Sequence, residues 1–127
     1  ADYKDRSPIY HLHRTGDLPF LMSAGIDDGH TGSVPIVHSL SAFNAIAKAQ
    51  NAEVIADAEI ARLSNRRNLV ALPRSKSEKL PPFGRGIVFA RNAGPASVVI
   101  FEGGHEGLPA PACEWLALQS RAVQMAQ

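Results

Sequence analysis

Cysteine, excess charge and long apolar runs are what this sequence has least of. Cys113 is the single cysteine in 127 residues, so an internal disulfide is excluded. The formal net charge is only +1, which gives no electrostatic case for binding nucleic acid or an anionic membrane. No apolar run approaches the length of a membrane span. In other respects the chain has an ordinary globular composition, 45% hydrophobic and 20% charged, and its length fits one domain.

Aromatic residues are absent where a nucleic-acid site would need them. The basic residues Arg66, Arg67, Arg74 and Lys76 have no aromatic side chains between them on which bases could stack. We interpret these residues as solvated surface. We therefore expect neither nucleic acid nor a membrane as a partner.

Metal ligands and cofactor motifs are equally sparse. His11 and His13 alternate, as metal ligands sometimes do, yet no cluster of carboxylates or cysteines accompanies them. We expect no metal site and no cofactor. His30 has two interpretations: it lines a substrate pocket or, as we favour, it is a solvated loop histidine.

The first residues are polar and begin with Ala1 rather than methionine. They resemble neither a signal peptide nor a transit peptide. A processed protein and a piece of a longer protein are both compatible with this start. Residues 1–18, with Pro8 and Gly16, are expected to form a surface segment or a short helix that leads into the core.

Three short apolar runs predict strands. The first covers residues 20–24, and its length between Pro19 and Gly25 suits a buried strand of a parallel sheet. The other two cover residues 87–90 and 97–101, and the turn residues 92–95 between them predict a hairpin.

Apolar residues at helical spacing predict three helices. The first runs from about Val34 to Ala49, with Ser33 as its N-cap and Pro35 in its first turn. Asp57 is expected to cap a second, shorter helix, and the last runs from about residue 110 to 121. The residues expected to face the core are Ile36, Leu40, Phe43, Ile46 and Ala47, then Ile60 and Leu63, then Trp115 and Leu118.

The order of these elements predicts an α/β fold. Strands that alternate with helices favour a mostly parallel sheet flanked by helices. Residues 73–85, with three prolines and a glycine among charges, are expected to be a loop within one domain covering residues 1–127. Three strands are few for such a sheet, which indicates that part of the sheet is missing.

Two polar groups that follow predicted strands are the candidates for catalytic chemistry; the alternative is that both are loop residues near the surface. Asp28 comes after the first strand, and His105 comes after the last one. Functional groups gather at the carboxyl ends of strands in open α/β sheets. A carboxylate there can hold an imidazole in one tautomer, and the imidazole can then act as a general base. Glu106, the next residue, can tune His105 or be a solvated acid.

The succession of motifs resembles the last third of the prolyl oligopeptidase-like branch of the α/β-hydrolases. In that family a Ser-Pro segment and a Leu-Pro step, here within residues 7–19, lead into a strand that ends G-x-x-D. Here this step is residues 25–28, followed by Val34-Pro35 at the next helix and by the Gly-Gly-His of residues 103–105. The resemblance implies an α/β-hydrolase fold, with Asp28 as the acid and His105 as the base of a Ser-His-Asp triad.

Two departures from the family pattern affect this expectation. The stretch from Asp28 to Val34 is longer than usual, so Asp27 stays open as the acid, although position favours Asp28. None of the ten serines lies in a G-x-S-x-G elbow. We therefore expect the C-terminal part of a serine peptidase or esterase, acting on a peptide or ester substrate. The nucleophile is expected upstream, in a missing N-terminal part of the same domain that would be the partner of this chain. A non-catalytic binding module is the alternative.

Overall fold

The computed structural model describes the backbone of residues 2–66 and 80–125, with side chains as far as Gln119. The loop expected over residues 73–85 is described only from residue 80, and Arg67, Arg74 and Lys76 lie outside the described residues. The elements are α1 (Asp2–Arg6), β1 (Phe20–Gly25), α2 (Val37–Ala49), α3 (Asp57–Ser64), β2 (Ile87–Ala93), β3 (Ala96–Phe101) and α4 (Pro109–Met125).

The three strands form one mixed sheet in the order β1-β3-β2. β1 runs parallel to β3, with Gly25 opposite Phe101. β2 runs antiparallel to β3, so the predicted hairpin is confirmed, and the chain reverses at Gly94-Pro95. The α/β class is therefore confirmed in the described residues, with one parallel and one antiparallel strand pair.

β3 is the central strand, and its sequence explains why. All six of its residues are buried, and four of them form the continuous apolar run from Val98 to Phe101. A strand covered on both faces has no polar face to keep in water, so its side chains do not alternate between apolar and polar. Both faces of the sheet are therefore covered along β3.

Helix α2 covers one face of the sheet with the stripe that the sequence predicts. Its large apolar side chains pack with Phe89, Val98 and Ile100 of the sheet and with Ile55 and Leu63 of the following segment. Each large side chain removed from water contributes roughly 1.5–3 kcal/mol of hydrophobic free energy. The buried stripe consists of Ile36, Leu40, Phe43, Ile46 and Ala47.

The predicted start of α2 was wrong by three residues, and Ser33 is not its N-cap. The helix begins at Val37, with Ile36 at the N-cap position. The reason lies in the preceding turn, where the Val34 N–H donates to Oδ1 of Asp28 at 3.1 Å. The backbone around Val34 is bent around this carboxylate, so it enters the helix only after Pro35.

Helix α3 is held to the sheet by an ion pair. Asp57 is its first residue and not its cap, which corrects the sequence prediction. The Ala56 N–H donates to Glu59, and Arg91 of β2 donates to both oxygens of that carboxylate at 2.9 and 3.2 Å. Burial raises the pKa of Glu59, but these hydrogen bonds outweigh burial and leave the pKa below its ordinary value.

The opposite face of the sheet carries a smaller core. Phe83, Ala90, Val99 and Phe101 are buried there, with Leu108 packed against them just before α4. On α4 itself the buried positions are Pro111 and Trp115, four residues apart. The prediction for Trp115 is confirmed. Leu118, three residues further along the same side of the helix, is 42% exposed, so the prediction that it faces the core is wrong.

The N-terminal segment lies on the surface, as its polarity predicts. After α1 it forms two short 3-10 turns, Pro8–Tyr10 and Leu12–Arg14, and none of these three elements has a buried residue. In the described ranges no helix combines the length and the apolar character needed to cross a bilayer.

Candidate active site

Two loops at one edge of the sheet form the candidate site. The acid turn, residues 26–34, follows β1, and the His loop, residues 102–107, follows β3. Because β1 and β3 are parallel neighbours, both loops leave the sheet at the same edge. Backbone hydrogen bonds continue the pairing beyond the strands, from Ile26 N–H to the Phe101 carbonyl at 2.8 Å and from Asp27 N–H to the Gly103 carbonyl at 2.9 Å.

Two glycines allow the loops to approach each other. A Cβ at Gly25 would overlap the carbonyl oxygens of Gly103 and Gly104 in the His loop. A Cβ at Gly32 would lie 2.6 Å from His105 Cβ and 2.7 Å from Asp28 Oδ1. Real Cβ atoms do not approach other atoms so closely, so a side chain at either position would push the loops apart.

Asp28 and His105 meet at hydrogen-bonding distance. His105 Nδ1 lies 2.9 Å from Asp28 Oδ2. The Asp28 side chain is 8% exposed, whereas the His105 side chain is 59% exposed. The structure therefore joins a buried carboxylate to an accessible imidazole, as the sequence predicts, and their catalytic role stays a prediction.

The Asp28 carboxylate is held by backbone donors as well. Oδ1 accepts hydrogen bonds from the N–H groups of Gly29, at 3.0 Å, and Val34, at 3.1 Å. The hydrogen bond to His105 lowers the pKa of Asp28 most strongly, burial opposes this, and the backbone donors reinforce it. The net effect keeps the pKa below the ordinary value of 3.8, so Asp28 is an anion at neutral pH.

Asp27, the alternative acid, points to a different partner. Its carboxylate forms an ion pair with Arg66, which follows α3. The backbone carbonyl of Asp27 accepts the N–H groups of His30 and Thr31, which closes the acid turn. Of the two aspartates, Asp28 is therefore the one whose carboxylate reaches His105.

The hydrogen bond to Asp28 sets the protonation of the imidazole. An ionised carboxylate only accepts, so Nδ1 of His105 donates to it. In the neutral ring Nε2 then carries no proton and can accept one. Among the described residues Nε2 has no hydrogen-bond partner.

A cavity of about 290 Å³ opens beside the pair. Ser23 of β1 and Ser39 of α2 contribute hydroxyl groups to it, and neither is hydrogen-bonded to His105 in the described residues. The full lining is Ser23, Ala24, Asp28, Val34, Pro35, Ser39, His105, Glu106 and Gly107.

Glu106 has a partner that the sequence did not suggest. Arg85, from the segment before β2, donates to both of its carboxylate oxygens at 2.7 and 2.9 Å. Arg85 also reaches the Glu102 carbonyl at 3.3 Å. The hydrogen bonds from Arg85 lower the pKa of Glu106, so the pair is charged on both sides at neutral pH. That Glu106 tunes His105, as the sequence allows, stays a prediction.

The other histidines do not join the site. His30 is exposed, and its Nε2 lies 2.7 Å from the Ser64 carbonyl at the end of α3. It does not line the cavity, which agrees with the interpretation of a loop histidine. Within the described residues, no three histidine, cysteine or carboxylate side chains converge on a possible metal position, and this includes His11 and His13.

Sequence reasoning missed Arg85 and the role of Gly32. Arg85 lies 21 positions before Glu106 along the chain, in a proline-rich stretch that is typical of a surface loop, and nothing in the sequence marks it as a partner. Gly32 follows a turn, where glycine is common for reasons other than close packing. The resemblance to known hydrolases also offered no signal for either residue.

Comparison with protein-family models, with curated proteins and with solved structures gives no match for this chain. The functional interpretation therefore depends on the geometry of the site and on the order of its motifs.

Proposed function

We propose that Asp28 and His105 are the acid and the base of a serine-type hydrolase, and that the nucleophilic serine lies outside these 127 residues. The observation that carries the proposal is the hydrogen bond of 2.9 Å between a buried carboxylate and an exposed imidazole. Both residues follow neighbouring parallel strands, in the chain order acid then base.

The arrangement suits general acid–base catalysis. Asp28 keeps Nδ1 of His105 protonated and stabilises the imidazolium that forms when Nε2 takes a proton. Nε2 can take that proton from a serine hydroxyl and return it to the leaving group. Such a positioned base contributes a factor of about 100 to 10,000 to the rate.

The absence of an elbow motif from these 127 residues supports a nucleophile outside them. None of the serines in the sequence has the glycines of G-x-S-x-G around it. Ser23 and Ser39 line the cavity, but a side chain on a strand or helix lacks the strained turn that exposes a nucleophile in this class of enzyme. We therefore expect the 127-residue chain alone to be inert.

Labelling with a fluorophosphonate tests this proposal directly. The chain alone should not react, whereas a longer product of the same gene should react at a serine of a G-x-S-x-G motif. Labelling of the longer product should be lost or strongly slowed in His105→Ala. If the chain alone is labelled, and the label is absent from Ser23→Ala or Ser39→Ala, the nucleophile is internal and the proposal is wrong.

Peptide and ester substrates are both compatible with the proposed site. Specificity in such folds comes from surrounding loops and domains, so the Asp28–His105 pair does not distinguish a peptide substrate from an ester. We favour a peptide substrate because the motif order is closest to the oligopeptidase branch. Hydrolysis of a prolyl-peptide anilide and of a short acyl p-nitrophenyl ester by the longer product, compared as kcat/KM, decides between the two.

A non-catalytic binding module is the second candidate. It is favoured by β1, which pairs with β3 alone in the described part of the chain and so offers a free backbone edge to another strand. Size-exclusion chromatography of the isolated chain tests an obligate partner. A stable monomer would count against this candidate.

A further inference from the structure

Two carboxylates, and not one, lie beside the candidate base. Asp28 is bonded to His105, and Glu106 is the next residue along the chain and lines the same cavity. An exposed carboxylate beside an imidazole attracts its protonated form and competes for its ring N–H. Another group must therefore keep the Glu106 carboxylate from competing with Asp28 for His105.

Arg85 is that group, because it binds the Glu106 carboxylate. Its guanidinium forms two parallel hydrogen bonds with the Glu106 carboxylate, an arrangement that fixes direction as well as distance. It also reaches the Glu102 carbonyl, so one side chain bridges both ends of the segment that contains His105. The Glu102 N–H donates to the Gly86 carbonyl at 2.8 Å, which ties the same end of the His loop to β2.

The packing around Gly103 shows that this bridge is close-fitting. A Cβ at Gly103 would lie 2.5 Å from Glu106 Oε1 and 3.0 Å from a guanidinium nitrogen of Arg85. The ion pair therefore lies directly against the backbone of the His loop. A looser surface ion pair would leave room for a side chain there.

The exposure of the pair argues against a mainly stabilising role. The two side chains are 40% and 37% exposed, and ion pairs in such positions contribute only about 0–1 kcal/mol to stability. A pair that adds little to the free energy of unfolding can still set the charge and the position of a neighbouring group.

We propose that Arg85 and Glu106 form a positioning pair that braces the His loop and neutralises Glu106, so that Asp28 is the carboxylate that pairs with His105. This inference rests on the proposed function, because it assigns these residues a role relative to the base of that site. Glu102, at the start of the His loop, is a further charged group beside the pair, because its carboxylate lies against Gly86, the residue after Arg85. Asp27 and Arg66, on the side of the acid turn, are joined to each other.

The test uses single and double substitutions that change charge but keep size. Arg85→Met leaves Glu106 as an uncompensated anion, which should favour the protonated His105 ring relative to the native chain. Glu106→Gln leaves Arg85 as an uncompensated cation, which should disfavour the protonated ring. In the double variant both charges are absent, and the ring should behave as in the native chain.

The primary measurement is NMR of the His105 ring in the chain itself, because it needs no catalytic activity. Arg6→Met, on the exposed α1 helix, is the matched control and should leave the ring titration unchanged. Opposite shifts in the two single variants support the proposal. Shifts of the same sign, or none, overturn it, since loosening of the loop alone has no reason to depend on the sign of the removed charge.

Arg85→Lys separates position from charge. It keeps the cation but not the two-pronged geometry of the guanidinium. In the proposed longer product, we expect Arg85→Lys to lower kcat/KM without moving the midpoint of its pH profile. We expect Arg85→Met to lower kcat/KM further. Full activity in Arg85→Met would contradict the role of Arg85 and Glu106 as a positioning pair. If His105→Ala left activity unchanged, the proposed function would fail instead, and the NMR result would still decide whether the pair positions His105.

Discussion

The acid turn and the His loop contribute one residue each to the same hydrogen bond, yet they are built differently. The acid turn is wrapped around its own carboxylate, because Gly29 and Val34 donate backbone N–H groups to a side chain that is 8% exposed. The His loop leaves His105 59% exposed and is braced from outside by Arg85.

The difference assigns separate tasks to the two regions. A buried, multiply bonded carboxylate keeps its charge and its direction, and so it can orient a partner. An exposed imidazole can meet a substrate or a nucleophile that arrives from elsewhere. Substitutions in either region can break this division of tasks.

Removing the charge of the acid turn should have the largest effect. In the proposed longer product, Asp28→Asn should lower kcat by about 1,000- to 10,000-fold, because the amide no longer selects the imidazole tautomer that accepts a proton at Nε2. Asp27→Asn is the matched control and should change kcat by less than about tenfold. Equal losses in the two variants would show that the two aspartates do not differ in role.

Separating the two regions should have the next largest effect. Gly25→Ala places a methyl group against two carbonyl oxygens of the His loop, and overpacking against backbone costs about 1–3 kcal/mol. Thermal or urea unfolding of the chain measures the loss. Gly107→Ala is the control, since a Cβ there has no atom within 4 Å, and its stability should stay close to that of the native chain. A Gly25→Ala chain of native stability would mean that the loops are not in tight contact.

Acidification should weaken the acid turn selectively. The pKa of Asp28 is lowered in the folded chain, so its stabilising contribution is present above the unfolded value near 3.8 and is lost as the pH falls through the lower, folded value. The difference in unfolding free energy between the native chain and Asp28→Asn should therefore shrink below about pH 4. A difference that stays constant down to pH 2 would contradict the assigned hydrogen bonds.

Removing the outer ion pair of the acid turn should have the smallest effect. Arg66→Met leaves Asp27 without its cation, but both side chains are about 40–45% exposed, so the loss should stay below about 1 kcal/mol. Urea unfolding measures it, and raising the salt concentration should reduce the difference from the native chain. A loss of several kcal/mol would show that the acid turn depends on α3 and not on its own backbone donors.

Local patterns predicted most of the elements and part of the site. The stripe from Ile36 to Ala47 and the run from Val98 to Phe101 identify α2 and β3 because apolar periodicity depends on neighbours along the chain. The start of α2 could not be predicted, because it depends on Asp28 bonding to the Val34 N–H. Ser33 has a side chain suited to a helix N-cap, but the backbone next to it is instead held by its hydrogen bond to the buried Asp28 carboxylate.

Spacing and residue type along the chain were enough to predict the α/β class, the core stripe of α2 and the two polar positions at strand ends. Long-range contacts determine that Asp28 rather than Asp27 meets His105, that Gly25 and Gly32 permit the approach, and that Arg85 binds Glu106. These contacts join residues far apart in the chain, and their free energies depend on burial and direction, which no local pattern encodes.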